Sequence, residues 1–490
     1  GEIKTLIDRD AASEKKQQAR KGLQYYECSH DIKDYRIFFV NADGQLQEDK
    51  TKSNIKISHP FLTELIDQKV QYMLSGKEAY GGASYVKSDI PELQDELDAR
   101  FNENDEFNAE LHEALTGASV KGIEYMYAYM GEDGKTTFQC ADSLGVVEVR
   151  KDETADGCDY VIFHYVDRIG QENKKIKRIQ VWDKDQTYFY CQVDDGEIVL
   201  DDSQPYNPRP HTLYGKEKGR NKGKTFYDSY GFIPFLRMDN NRKQSSGLKP
   251  IKRLIDDYDV ISCDLSNNIN NTNEALYVVT GFEDDNLDEM MECIKAKKHI
   301  GLAEGGSVTV QTVDIPIEAR KARMEIDEKN IFRFGMGLDM NALKDSGATV
   351  SVAIKAAYSL LDLKANKLEI QLKKFLRKLL KIVLDEINAE NGTDYKLTDI
   401  YFDFQREIII NAVENAQIEL TEAQRRQVEI NILLGLRETL DDETIIQLIC
   451  EQLDIAYNDI KNKLPSPEEE AIAQAQAILK STPVEGDVIE

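Results

Sequence analysis

Ser351–Asn391 reads SVAIKAAYSLLDLKANKLEIQLKKFLRKLLKIVLDEINAEN, and the fold is decided here. An apolar stripe passes through Ala357, Leu361, Ala365, Leu368, Leu372, Phe375, Leu379 and Ile382. Every step is three or four residues, which places all of them on one face of an α-helix. No Pro or Gly interrupts Ser351–Glu390, and Asn391-Gly392 supplies the left-handed residue that closes helices. At about 1.5 Å per residue the helix spans roughly 60 Å, longer than most globular helices. The sequence therefore predicts a strut between regions over 351–391.

Working outward, Ile317–Phe334 is a charged amphipathic segment that meets a break at Gly335-Met336-Gly337 and then a polar loop, Asp339–Val350. Lys249–Asn273 has helical spacing, with Ile251, Leu254, Ile255, Tyr258, Ile261 and Leu265 on its apolar side. Between these two helices, residues 274–316 predict a small α/β insert. It comprises strand Leu276–Thr280, helix Asn286–Ala296, and a hairpin of Ile300–Leu302 with Val308–Val313 around Glu304-Gly305-Gly306.

Toward the start, Glu2–Gln24 reads as a peripheral helical arm. Tyr35–Val40 is a strand closed by the turn Asn41–Gly44. Phe61–Leu74 is a helix facing inward through Phe61, Leu65, Ile66, Val70 and Met73, and Pro91–Leu115 is a second, acidic helix. From Gly122 to Leu200 the pattern alternates as strands of an antiparallel meander, Pro205–Lys224 is a basic loop, and Tyr230–Met238 is strand-like. Ile400–Phe404 returns as a strand, 412–463 is helical, and the tail is acidic. The class is α+β.

The chain has 490 residues, enough for two to four domains, with 41% hydrophobic and 31% charged side chains. That balance is expected of a folded, soluble protein. Net charge is −27, from 62 basic and 89 acidic residues. Such an excess argues against a conventional duplex-binding surface, which needs clustered Lys and Arg to displace counterions. Seven scattered cysteines without a CxxC pair are expected to be reduced thiols of a cytosolic protein. No apolar run is long enough for a membrane span, and no signal peptide is expected.

Catalytic patterns are missing. Gly134-Lys135-Thr136 and Gly223-Lys224-Thr225 resemble the end of a phosphate-binding loop, but neither has the required upstream Gly at the right distance. The histidines show no metal-ligand spacing, and His164, inside a strand-like FHY, reads as a packed or interfacial side chain. No nucleophile triad can be nominated. Asp201-Asp202 and Asp284-Asp285 fall in turns, where Asp bonds its own backbone. The expectation is no catalytic residue, no cofactor, no metal, and a protein that is not an enzyme. Two other readings stay open from the residues alone: a nucleotide-acting enzyme, and a cytosolic helical adaptor docking through its long helix. Arg320, Lys321 and Arg323 alternate with Glu318, Glu325 and Asp327, as helix-surface ion pairs or as a contact between subunits.

The order of these segments resembles the SPP1-type portal proteins of tailed bacteriophages over about residues 30–465. The likeness is carried by Gly231-Phe232-Ile233-Pro234, Asp256-Asp257-Tyr258-Asp259, Asn267–Asn273, Thr280-Gly281, Ser351–Lys355, the Leu360/Leu361…Lys364-Ala365…Glu369 pattern and Leu434–Thr439. Ile66–Val70, in the early helix, resembles that family's opening wing helix. The resemblance implies an elongated portal fold with an arm (1–30), a wing (31–248 with 365–410) and stem helices (249–273 and 317–338). It also implies a clip (274–316), a tunnel loop (339–350), the long helix (351–391), a crown (411–465) and a tail (466–490). It implies a dodecameric ring at a capsid vertex of the virion, assembled in the host cytoplasm, through which double-stranded DNA passes without sequence readout. The implied partners are terminase, scaffolding protein, major capsid protein and head-tail adaptor, with no membrane. The implied DNA-facing residues are Asp339, Asn341, Lys344, Asp345 and Ser346 in the loop, with Arg320, Lys321 and Arg323 on the stem. Glu283, Asp284, Asp285, Lys297, Lys298 and Glu304 would dock the clip's partners. An acidic channel wall would repel phosphate and hold DNA weakly.

Overall fold

The computed structural model describes residues 1–41, 43–50, 52–75, 85–131, 133–150, 157–168, 174–215, 225–271, 276–280, 305–311, 316–339, 351–406, 412–436 and 442–452. They fall into two units, Gly1–Ile408 and Ile409–Glu490. Asn341, Lys344, Asp345, Ser346, Glu283, Asp284, Asp285, Lys297, Lys298 and Glu304 lie outside the described residues, as do the expected helix 286–296, strand 300–302 and tail 466–490.

The first unit begins with α1 (Glu2–Ala11) and α2 (Glu14–Tyr26), the latter opened by Ser13, whose hydroxyl accepts from the Lys16 N–H. This arm is not peripheral. Ile7, Ala19 and Tyr25 are buried, and Ile7 joins Val147, Ile162 and Ile179 in a common apolar cluster. Small residues made the docking possible: a Cβ on Gly22 would sit 2.1 Å from the Val120 carbonyl oxygen. The predicted hairpin follows as β1 (Phe38–Val40) and β2 (Leu46–Glu48), then α3 (Phe61–Met73), whose five expected inward residues are all buried.

Strand β3 (Val86–Ser88) precedes α4 (Pro91–Leu97) and α5 (Asp105–Lys121). The single helix expected over 91–115 is thus broken between 98 and 104. Asp98–Asn102 forms a π-helical turn, the Asn102 side chain bonds both the N–H and the C=O of Val86, and Asn104 caps α5 by accepting from the Phe107 N–H.

Strands β4 (Ile123–Met130), β5 (Thr136–Ala141), β6 (Val146–Val149), β7 (Tyr160–Arg168), β8 (Lys175–Trp182), β9 (Gln186–Val193), β10 (Val199–Leu200) and β14 (Phe235–Asp239) form the expected strand-rich region, and β11 (Arg209–Pro210), β12 (Thr212–Gly215) and β13 (Thr225–Asp228) add to it, the first two inside the segment expected as a loop. They make an antiparallel sheet ordered β10-β9-β8-β7-β6 with β11 beside β9, a three-stranded sheet β14-β4-β5, and the pair β12-β13. Strand alternation divides the large sheet: Val146 and Val161 pack with Tyr125, Ala141 and Trp182, while the next residues, Val147 and Ile162, face Ile7.

Beyond lie α6 (Lys252–Asn271), the ribbon β15 (Leu276–Thr280) with β16 (Ser307–Gln311), α7 (Ile317–Gly335) and α8 (Ser351–Asn391). Helix α8 has the predicted bounds. From Leu361 to Ile382 its predicted stripe is buried, each Leu, Ile or Phe in it contributing roughly 1.5–3 kcal/mol when removed from water. Toward its end the buried face widens to include Leu376, Leu380, Val383, Leu384 and Ile387. The whole helix belongs to the first unit and packs on α3 and β14, so it is a core element of that unit. Strand β17 (Ile400–Phe402) closes the unit by pairing with β3. The second unit holds α9 (Ala412–Gly435) packed on α10 (Asp442–Gln452).

Candidate functional site

The junction of α3, α6, α7 and α8 is where the predicted stem and loop meet. Helix α7 ends with Met336 in the left-handed conformation, φ 54°. The flanking glycines serve a different need. A Cβ on Gly335 or Gly337 would lie 2.6 or 2.1 Å from the Leu65 methyl groups, so both let the chain press against α3. The Gln68 amide then grips Leu338 at both backbone groups: Nε2 donates to its carbonyl at 3.0 Å, and Oε1 accepts from its N–H at 2.9 Å. Lys364 of α8 reaches in to donate to the Gly335 carbonyl at 2.5 Å, satisfying an orphan acceptor at the helix end. Burial pushes the Lys364 ammonium down to about 8, and burial holds the neighbouring Lys69 well below its usual value. Asp339, the one tunnel-loop candidate described, follows directly. Burial raises the nearby Glu64 carboxyl, and the charges of Asp339 and Glu328 add to that.

The stem candidates occupy α7. Arg323 is brought to α6, with Nη2 2.7 Å from Asp257 Oδ2, and it also lies 3.3 Å from Asp327. Burial raises the Asp327 carboxyl, and a hydrogen bond with Asp257 raises it further. Lys321 makes an exposed i,i+3 pair with Glu318, and Arg320 is half-buried. Of the expected helix-surface ion pairs, Lys321–Glu318 and Arg323–Asp327 are present, joined by the Arg323–Asp257 link between helices.

Sequence reasoning missed the node that ties the arm to α6. His30 and His59 each place Nδ1 on one oxygen of Asp259, at 2.6 and 2.7 Å, and the His59 N–H adds a third bond. Burial alone would raise the Asp259 carboxyl; the bonds from the two imidazoles bring it below its ordinary range. Tyr25 stacks on the His30 ring at 4.3 Å, and its hydroxyl donates to Asp256. The tetrapeptide Asp256–Asp259 hinted at this, but its histidine partners lie 200 and 229 positions away.

A concavity of about 590 Å³ between α2 and the sheets contains the charged side chains of Lys16, Lys121, Glu148 and Arg237. Its charges are committed to one another. Lys121 pairs with Glu124 and Asp142, Arg237 with Glu148 and Asp239, and Lys16 with Asp10 and the Ser143 and Val146 carbonyls. Burial pushes Glu124 up to about 7. At the first GKT, the Thr136 N–H donates to the Glu386 carboxylate at 3.0 Å, which puts an anion where a phosphate loop would need none. His164 sits in β7 as a packed side chain whose pKa burial lowers to about 4. Among the described residues no helix is long and apolar enough to cross a membrane.

The family model matching this chain is that of a phage portal protein, and the match runs over residues 6–456. The chain belongs to the family described as phage portal protein, SPP1 Gp6-like, a structural family of the virion's capsid vertex. It is 27% identical over 361 residues to the portal protein of Bacillus phage SPP1, covering 73% of this chain and 67% of that one. It is 25% identical over 441 residues to the portal protein of Clostridium phage phiCD119, covering 85% and 88%. Among solved structures, a chain from the neck of a native GTA particle computed with C12 symmetry is similar at 10% identity and a TM-score of 0.40, over 80% of this chain and 89% of that one.

Proposed function

We propose that copies of this portal protein close into a dodecameric ring whose central channel passes double-stranded DNA during packaging, retention and ejection. The observation that carries the reading is the family match along 6–456. In this reading α6 and α7 are the stem, held in register by Arg323 and Asp257. Residues 274–316 form the clip that docks terminase and the head-tail adaptor, and 339–350 form the loop facing DNA, launched from the grip of Gln68 on Leu338. The strand-rich region and the later part of α8 make the wing, α9 and α10 the crown, where scaffolding and major capsid proteins would meet the ring. The charge of −27 per copy keeps translocating phosphate from adhering.

Negative-stain microscopy of the purified full chain tests this. Closed rings with a central hole are expected; a species that remains monomeric at high concentration overturns the proposal.

A further inference from the structure

The outward face of α8 carries a charge opposite to that of the chain as a whole. Leu360, Leu363, Lys367, Ile370, Lys374 and Lys381 are all exposed, and their spacing sets them on one arc of the helix. Leu363 and Ile370 remain 48% and 67% exposed, so no described residue of the unit covers them. Lys367, Lys374 and Lys381 have no ion pair among the described residues. At about 1.5 Å per residue the stripe runs roughly 30 Å.

A second surface has the opposite character. Between Asp89 and Glu113 the sequence holds ten carboxylates and one arginine. Helix α4 exposes Glu92 and Asp95 at i,i+3 spacing, and α5 exposes Glu106 and Glu113 at i,i+7, so each helix presents a carboxylate face. These four side chains have no ion pair among the described residues.

We infer that α8 of one copy receives the α4–α5 face of the next, and that this contact propagates the ring. The inference rests on the ring reading given above and specifies its subunit contact. Identical molecules of strong net charge repel one another, except where a surface of reversed local sign meets one of the prevailing sign. The α8 stripe is such a reversal, and the acidic face on α4–α5 is its complement. Because the two faces are different, the contact is head-to-tail, and such contacts close into rings when the rotation allows. Duplex DNA is the other polyanion a lysine stripe could take. The three aliphatic side chains within this stripe favour a protein surface, since an interface core is apolar with charge at its rim.

Two triple variants of the full chain test the contact: Lys367→Glu/Lys374→Glu/Lys381→Glu and Glu92→Lys/Asp95→Lys/Glu106→Lys. Circular dichroism checks folding, and sedimentation velocity reads assembly. Each variant alone is expected to raise the concentration for half-assembly at least tenfold. An equimolar mixture of the two is expected to assemble again, because each variant's reversed face then meets the complementary face of the other. A variant damaged merely in folding would not be rescued this way. If both variants assemble like the parent, or if the folded pair fails to assemble on mixing, the contact is wrong while the ring reading stands. A parent chain that never assembles sinks the ring reading and this contact with it. Loss of duplex-DNA binding by the lysine variant with assembly intact makes the stripe a nucleic-acid surface and overturns the inference.

Discussion

His30 Nδ1 lies 2.6 Å from Asp259 Oδ2, and neither side chain has any exposure to solvent. Both ring nitrogens of His30 face acceptors, the second being the Tyr25 carbonyl at 3.1 Å. This pair fastens the arm to α6, beside the bond from the Tyr25 hydroxyl to Asp256.

Replacing Asp259 should show how much depends on it. Asp259→Asn leaves buried imidazoles without their anion, and removing one partner of a buried pair typically costs about 3–5 kcal/mol. A depressed carboxyl pKa stabilises the fold above the unfolded value near 3.9, and that contribution is lost as pH falls through the folded one. Urea unfolding should therefore show a lower midpoint for Asp259→Asn at pH 7. The gap to the parent should shrink below about pH 4.

Gly22→Ala discriminates a docked arm from a free one by sign. In an exposed helix Ala is better than Gly by about 1 kcal/mol. Here the new methyl meets the Val120 carbonyl, and overpacking of this kind costs about 1–3 kcal/mol. Thermal melts should show destabilisation.

Gln68→Ala removes both bonds to Leu338. Hydrogen exchange at the Leu338 amide should accelerate while amides within α3 keep their protection. Stability should fall by about 1–3 kcal/mol, the sum of two such bonds.

Lys364 supplies an alkaline signature. A lysine whose folded pKa is depressed weighs against folding while it must stay charged. The burden lifts as pH rises from about 8 toward the unfolded value near 10.4. Stability of the parent relative to Lys364→Met should thus improve by about 2 kcal/mol between pH 7 and pH 10, measured by denaturant titration at each pH.

Glu386→Ala should destabilise by about 3 kcal/mol, because it strips the buried Arg100 guanidinium of its 2.8 Å partner and orphans the Thr136 N–H. Lys135→Ala, in the adjoining turn, should change stability by less than about 0.5 kcal/mol, because this half-buried lysine makes no ion pair among the described residues.

Local periodicity made α3, α6, α7 and α8 legible, because their apolar residues repeat at helical spacing with few interruptions. The break between α4 and α5 was hidden, since it depends on Asn102 finding the backbone of Val86 in three dimensions. Gly335 and Gly337 were visible as a break, but their purpose, room for Leu65, lies in another helix. The arm's docking was obscured by its charged composition, which conceals a few inward residues such as Ile7 and Tyr25. Long-range nodes such as His30–Asp259–His59 leave no periodic trace at all. The Arg323 pairing inside α7 was readable from i,i+4 spacing, whereas its bond to Asp257 required the fold.

The pairing of β17 with β3 sets a timetable for biosynthesis. Lys87 and Asp403, which bond beside this ladder, are 316 positions apart. At about 5–20 residues per second, a ribosome needs roughly a quarter of a minute to a minute to travel between them. Until then β3 waits in the nascent chain without its partner strand, so the first unit is completed only after Phe402 has emerged.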